Sequence, residues 1–164
     1  MDDTLEILEL IEKNNKLTPD EISIMLNKNK EDVIKTIKTF EDKKIILGYK
    51  TLINWEKTDK DYVTALIEIN VTPQRGEGFD KIAERIYLYP EVKACYLMSG
   101  GFDLTVVIEG RTLKEVALFV AEKLSTLESV KSTATHFILK KYKDEDTIFE
   151  SKKEDDREAI ILWS

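Results

Sequence analysis

The chain has one cysteine, Cys95, and one histidine, His136. That excludes an internal disulfide and leaves a Cys/His zinc site without ligands, so neither a structural metal nor a cofactor is expected. Cys95 sits among alternating apolar residues and reads as a small buried hydrophobe. No stretch approaches the roughly 20 apolar residues of a membrane span. Met1-Asp2-Asp3 opens without a basic or apolar targeting run, so a cytoplasmic location without membrane contact is expected. Arginine is missing from the whole of residues 1–58.

What is present is a globular composition, 42% hydrophobic and 35% charged over 164 residues, enough for one domain or two small ones. The net charge of −7 counts against nucleic acid, because lysines and arginines that displace phosphate counterions supply most of the affinity for DNA. Its distribution changes that reading. Residues 144–164 carry eight acids against three basic residues, whereas residues 28–50 hold seven lysines (28, 30, 35, 38, 43, 44 and 50) against four acids. The second stretch permits DNA binding without requiring it.

Three helical patterns open the chain. Thr4 to Lys13 repeats Leu5, Leu8 and Ile11 at helical spacing. Thr18-Pro19-Asp20-Glu21 is a capping box with proline at the first helical position, ahead of Ile22, Met25 and Leu26. After Asn27-Lys28-Asn29, a third helix from about Lys30 to Lys43 gathers Val33, Ile34, Ile37 and Phe40 on one side. Two short helices across a tight polar turn, packed through Ile22, Met25, Val33 and Ile37 on a first helix, describe a helix-turn-helix or a plain three-helix bundle. Ile45 to Ile53 then reads as a strand or short hairpin, and the polar residues 54–61 as a linker.

The remainder alternates strand and helix patterns. A strand carries Val63, Ala65, Ile67, Ile69 and Val71, Pro73 to Gly78 is a loop, and a helix runs from Phe79 to about Tyr89. A strand follows over Val92–Met98, then the Ser99-Gly100-Gly101 turn and a strand through Leu104, Val106 and Ile108. Thr112 and Glu115 cap a long helix carrying Val116, Phe119, Val120, Leu124 and Leu127, and a last strand spans Lys131 to about Lys141. This β-α-β-β-α-β order is the ferredoxin-like arrangement, α+β, with helices on one face of a four-stranded antiparallel sheet. Apolar groups on both sides of the outer-face strands, such as Leu66 and Ile138, imply that a second subunit covers the other face.

These segments together resemble the Lrp/AsnC, or feast/famine, family of transcriptional regulators over residues 3–143. The resemblance rests on Asp3 to Asn15, on Ile45-Ile46-Leu47-Gly48-Tyr49-Lys50-Thr51, on Met98-Ser99-Gly100-Gly101-Phe102-Asp103-Leu104, and on Thr133-Ala134-Thr135 within Val130–Lys143. It departs at Lys44, where many members have glycine, and at Lys35-Thr36, where many have arginines. It implies a winged helix-turn-helix DNA-binding domain over residues 1–53 and a ferredoxin-like, RAM/ACT-like domain for sensing and oligomerisation over 62–143. An acidic tail with the apolar end Ala159–Trp163 would follow over 144–164, packed on its own sheet or a neighbour's.

What the resemblance further implies is double-stranded DNA as partner, with the third helix in the major groove. Lys35, Thr36 and Thr39 would then reach bases, Glu31 would accept from cytosine, and Lys28, Lys30, Lys38 and Lys50 would sit on phosphates. It also implies dimers assembling to tetramers or octamers, with an amino acid or related effector bound between dimers. The candidate ligand residues are Gly100, Gly101, Phe102 and Asp103 with Thr133 and Thr135: two glycines allow close approach to backbone N–H groups, and Asp103 offers a carboxylate to an ammonium. His136 reads as a hydrogen-bonded structural residue. The competing functions are a sensor or interaction module that does not bind DNA, favoured by the acidic total, and a siroheme-decarboxylase-like enzyme, which one histidine and four arginines fit badly.

Overall fold

A computed structural model describes residues 3–72 and 78–149 and divides the chain into two compact units, residues 1–53 and 54–164. The first unit is three helices, α1 (Asp3–Lys13), α2 (Pro19–Leu26) and α3 (Lys30–Asp42). The start of α2 follows from its capping box: Glu21 N–H donates to Thr18 Oγ1 at 3.3 Å while Thr18 N–H donates to the Glu21 carboxylate at 2.7 Å. Asn27 ends the helix at φ 51°, in the left-handed region that asparagine tolerates. Asn29 then starts α3 by accepting from Glu31 N–H. Ile7, Ile22 and Val33 meet in the centre of this unit, with Leu10, Ile11, Leu17, Leu26 and Ile37 around them.

Several expected core positions are elsewhere. In α1 the buried face runs through Ile7, and Leu5 is exposed. Met25, 57% exposed, and Ile34 also face out. Beside Ile22, the second buried place on α2 goes to Ser23, whose hydroxyl donates to the Asp20 carbonyl at 2.7 Å.

The strand or hairpin expected over Ile45–Ile53 does not form. Lys44 turns the chain at φ 57°, Ile45 and Ile46 both donate to the Phe40 carbonyl, and the segment beyond is irregular with no ladder partner among the described residues. A strand needs a neighbour to pair with, and every other element of this unit is a helix. The segment is tethered by side chains instead, from Tyr49 to Glu41 and from Asn15 to the Lys50 carbonyl. Where a wing was expected, the described residues thus hold an irregular, unpaired stretch.

The second unit begins inside the expected linker. Asn54 caps a 3-10 turn over Trp55–Lys57, the Trp55 and Tyr62 rings lie 6.2 Å apart, and the Lys60 ammonium sits 3.8 Å from the Trp55 ring centre. One tryptophan therefore turns a polar run into an anchored element. There follow β1 (Val63–Val71), α4 (Phe79–Tyr87), β2 (Val92–Leu97), β3 (Leu104–Gly110), α5 (Leu113–Phe119) and β4 (Val130–Phe137). All strand neighbours are antiparallel, in the order β2-β3-β1-β4. This is the ferredoxin-like α+β arrangement. Most of the expected loop at Pro73–Gly78 lies outside the described residues.

The expected long helix after Thr112 is α5 followed by a π-helical segment over Val120–Leu124, in which Ser125 N–H donates to the Val120 carbonyl. Val116, Phe119, Val120 and Leu124, at the i, i+3, i+4, i+8 spacing of one helical face, all reach the core. They pack with Ile82 and Ile86 of α4 against Ala65, Ile67 and Ile69 of β1 and Leu104, Val106 and Ile108 of β3. The opposite side of the sheet carries Leu66 and Glu68 of β1, Val107 of β3, and Ala134 and His136 of β4. β4 stops at Phe137, short of the expected Lys141. A small hairpin, β5 (Lys143–Asp144) and β6 (Thr147–Ile148), then turns through Glu145 and Asp146 at φ 42° and 61°, where only a tail was expected. Ala159–Trp163 lie outside the described residues.

Candidate functional site

Two places in the chain bring the singled-out residues together. The first is the outer face of α3. With Val33 and Ile37 turned to the core, Glu31, Lys35 and Lys38 are exposed, while Thr36 and Thr39 are half-buried at the flanks. The Thr39 hydroxyl donates to the Lys35 carbonyl at 2.8 Å, so it is available as an acceptor more than as a donor. Lys30 is paired with Asp20 at 2.7 Å in an exposed ion pair of small energetic weight, which a phosphate can replace. The Lys28 side chain is half-buried, and that of Lys50 exposed. Tyr49 closes the end of α3: burial and its hydrogen bond to Glu41 push the phenol up from its ordinary range, so it stays neutral and a donor.

The second place is the turn between β2 and β3. Met98 N–H donates to the Asp103 carbonyl at 2.8 Å, and Asp103 N–H donates across to the Ile69 carbonyl at 3.1 Å, which docks the turn on the end of β1. Gly100 holds φ 153°, a conformation that side chains rarely adopt, and open space lies where a Cβ would stand at Gly100 or Gly101. Gly101 is exposed and Phe102 half-buried. The Asp103 carboxylate is already engaged: its Oδ2 accepts from Val71 N–H at 2.8 Å. The β1–β3 ladder ends at Ile69 and Leu104, so this N–H lies just past its last pair, beside a buried side chain. Left unpaired there, it would cost about 1–3 kcal/mol.

Thr133 and Thr135 are not on the turn's side of β1. The register sets them opposite Ile69 and Ile67, on the face the helices cover, and Thr133 Oγ1 lies 3.5 Å from Ser125 Oγ. On the uncovered face, His136 Nε2 is 3.4 Å from Glu68 Oε1. Cys95 is half-buried, and burial pushes its thiol up, away from the reactive thiolate. Among the described residues no group of acidic, histidine or cysteine side chains is placed to hold a metal ion, and no helix is long and apolar enough to cross a membrane.

Residues 64–148, the sheet unit almost entire, match the model of the Lrp/AsnC ligand binding domain. An uncharacterised HTH-type transcriptional regulator of Bacillus subtilis (strain 168), YugG, is 48% identical over 156 residues, covering 94% of each chain. The chain belongs to the Lrp/AsnC family. The HTH-type transcriptional regulator LrpA of Pyrococcus horikoshii is 30% identical, over 84% of this chain and 94% of that one. Among solved structures, the transcriptional regulator NMB0573 of Neisseria meningitidis, in complex with L-Met, superposes with a TM-score of 0.72 at 22% identity over 88% of this chain and 92% of that one, which speaks to the fold.

As an Lrp/AsnC protein the chain is a DNA-binding, small-molecule-responsive transcriptional regulator, built of a helix-turn-helix unit and the family's ligand-binding domain. The left-handed Lys44 gives a physical reason for the glycine many Lrp/AsnC members have there: φ 57° carries a penalty for any residue with a Cβ. Sequence reasoning missed the bond from Asp103 to Val71. Thirty-two residues separate the partners, and only the pairing of β1 with β3 brings them together.

Proposed function

We propose that this regulator binds double-stranded DNA as a cytoplasmic homo-oligomer, and that an amino acid or close relative bound at the Gly100–Asp103 turn shifts its assembly and hence its affinity for DNA. The observation that carries the DNA half is α3, which turns Lys35 outward at the centre of a stretch rich in lysine. In this reading Lys35, Thr36 and Thr39 approach base edges and Glu31 accepts from cytosine, while Lys28, Lys30, Lys38 and Lys50 lie on phosphates, Lys30 exchanging Asp20 for the backbone. A single copy with this charge balance binds weakly, so affinity comes from several recognition helices held together.

Two unfilled surfaces support assembly. The irregular segment Ile45–Ile53 has backbone groups without ladder partners among the described residues and exposes Leu47 at 86%, and the uncovered sheet face carries Leu66 and Val107. A second copy satisfies both, by strand pairing and by face-to-face packing. The exposed glycine turn and the L-Met complex of the Neisseria regulator of the same fold support this effector class. Thr133 and Thr135 belong to such a pocket only if the ligand reaches the helix-covered side. No catalytic role is assigned.

Sedimentation of the full chain, alone and with each of the twenty amino acids, tests the assembly half. At least a dimer is expected, with a change of size for at least one ligand. A monomer at micromolar concentration that no amino acid alters would refute it. A sensor that does not bind DNA, which the arginine-free first unit favours, would pass this test and fail DNA capture.

A further inference from the structure

Within that reading of the turn as a ligand site, the geometry points to a different role for Asp103 from the one its carboxylate first invites. We infer that Asp103 is a positioning residue: it acts as a hydrogen-bond acceptor that locks the β2–β3 turn to the end of β1, and it is not the counter-charge for a ligand's ammonium. Three hydrogen bonds converge on this residue, from Val71 N–H to Oδ2, from Asp103 N–H to the Ile69 carbonyl, and from Met98 N–H to its own carbonyl. They tie one residue twice to β1 and once to the first residue of the turn. The β1–β3 ladder ends at Ile69 and Leu104, leaving Val71 N–H past its last pair, and the side chain of Val71 is buried, so the Asp103 oxygen supplies the acceptor that the ladder no longer does.

The consequence for recognition is a division of labour. Asp103 is half-buried, whereas Ser99, Gly100 and Gly101 are exposed, and the N–H groups of Ser99 to Phe102 donate to no described residue. These N–H groups are the turn's polar face toward a ligand, and their chemistry suits a carboxylate. An ammonium that drew on Oδ2 would compete with Val71 and loosen the dock that holds the turn.

What separates the two roles is whether the residue needs its charge or only its oxygen. An asparagine retains an acceptor for Val71 N–H and loses the negative charge; an alanine loses both. The experiment is amide hydrogen exchange at Val71 in the full chain, with Asp103→Asn and Asp103→Ala compared with the parent, together with calorimetry using the twenty amino acids. The expected result is slow exchange at Val71 in the parent and in Asp103→Asn, with exchange at least tenfold faster in Asp103→Ala. Any ligand response of the parent should survive in Asp103→Asn and fail in Asp103→Ala. Fast exchange at Val71 in the parent would overturn the assignment without any variant, even if Asp103→Ala does not fold. So would an Asp103→Asn protein that keeps Val71 protected but loses ligand binding, since charge would then be what mattered. If no amino acid binds the parent, the sensing function fails while Val71 still decides the role of Asp103.

Discussion

At the scale of single residues, Lys35 bears the most specific claim. It is exposed on α3 opposite the buried Val33, and a lysine paired with a guanine edge is worth about 1–3 kcal/mol of discrimination. Lys35→Ala is therefore expected to weaken operator binding roughly tenfold or more, and the triple alanine variant at Lys35, Thr36 and Thr39 to lose selectivity while keeping its circular dichroism. Unchanged selectivity would remove α3 from the interface. Lys44 makes an opposite kind of prediction: Lys44→Gly relieves a left-handed backbone and adds freedom to the unfolded chain. A net gain of about 0.5 kcal/mol is expected, read as a higher denaturation midpoint.

Glu91 supplies a pH dependence. The hydrogen bond from Lys123 at 2.8 Å holds its carboxyl below the ordinary carboxylate range, against the opposing effect of burial. A folded-state pKa below the unfolded one means the stabilisation is complete above the ordinary carboxylate range and is lost as pH falls through the lowered value. Glu91→Gln should lower stability at neutral pH and flatten its decline on acidification. A parallel acid limb in the two proteins would show the pair to be thermodynamically silent.

Among the elements, how much could be read in advance depended on whether the stabilising partner was local. The start of α2 was legible because Thr18 and Glu21 satisfy each other within four residues, and the strands of the sheet because alternation carries its own period. The phase of α1 was not: Leu5, Ile7, Leu8, Leu10 and Ile11 put apolar groups nearly all round the helix, and only packing against Ile22 and Val33 selects Ile7. The π segment leaves no mark in the sequence, since Val116, Phe119, Val120 and Leu124 carry the spacing of an ordinary helical face. At the candidate site, the glycine turn was visible in the sequence, but its dock on β1 was not.

The uncovered sheet face makes the prediction proper to this scale. Leu66→Asp places a charge in the middle of it, beside Val107, and leaves the helix-covered core untouched. If a second copy packs there, the variant should sediment as a smaller species at the same concentration with an unchanged fold. An unaltered sedimentation profile would move the interface elsewhere.

For the whole molecule, the sequence divides into a lysine-bearing helical unit and a sheet unit that matches the family's ligand-binding domain, although the net charge is −7. In the proposed reading the acidity counts for less than its placement, because α3 and the lysines around it are to meet DNA while the acids of residues 144–164 lie at the other end of the chain. The most direct test is capture of genomic DNA fragments by the full chain, with the Lys35/Thr36/Thr39 alanine variant in parallel and with and without a mixture of the twenty amino acids. A discrete set of fragments should be enriched, lost in the variant, and changed in yield by the amino acids. Recovery no different from bulk DNA, equal for both proteins and indifferent to the mixture, would contradict the account.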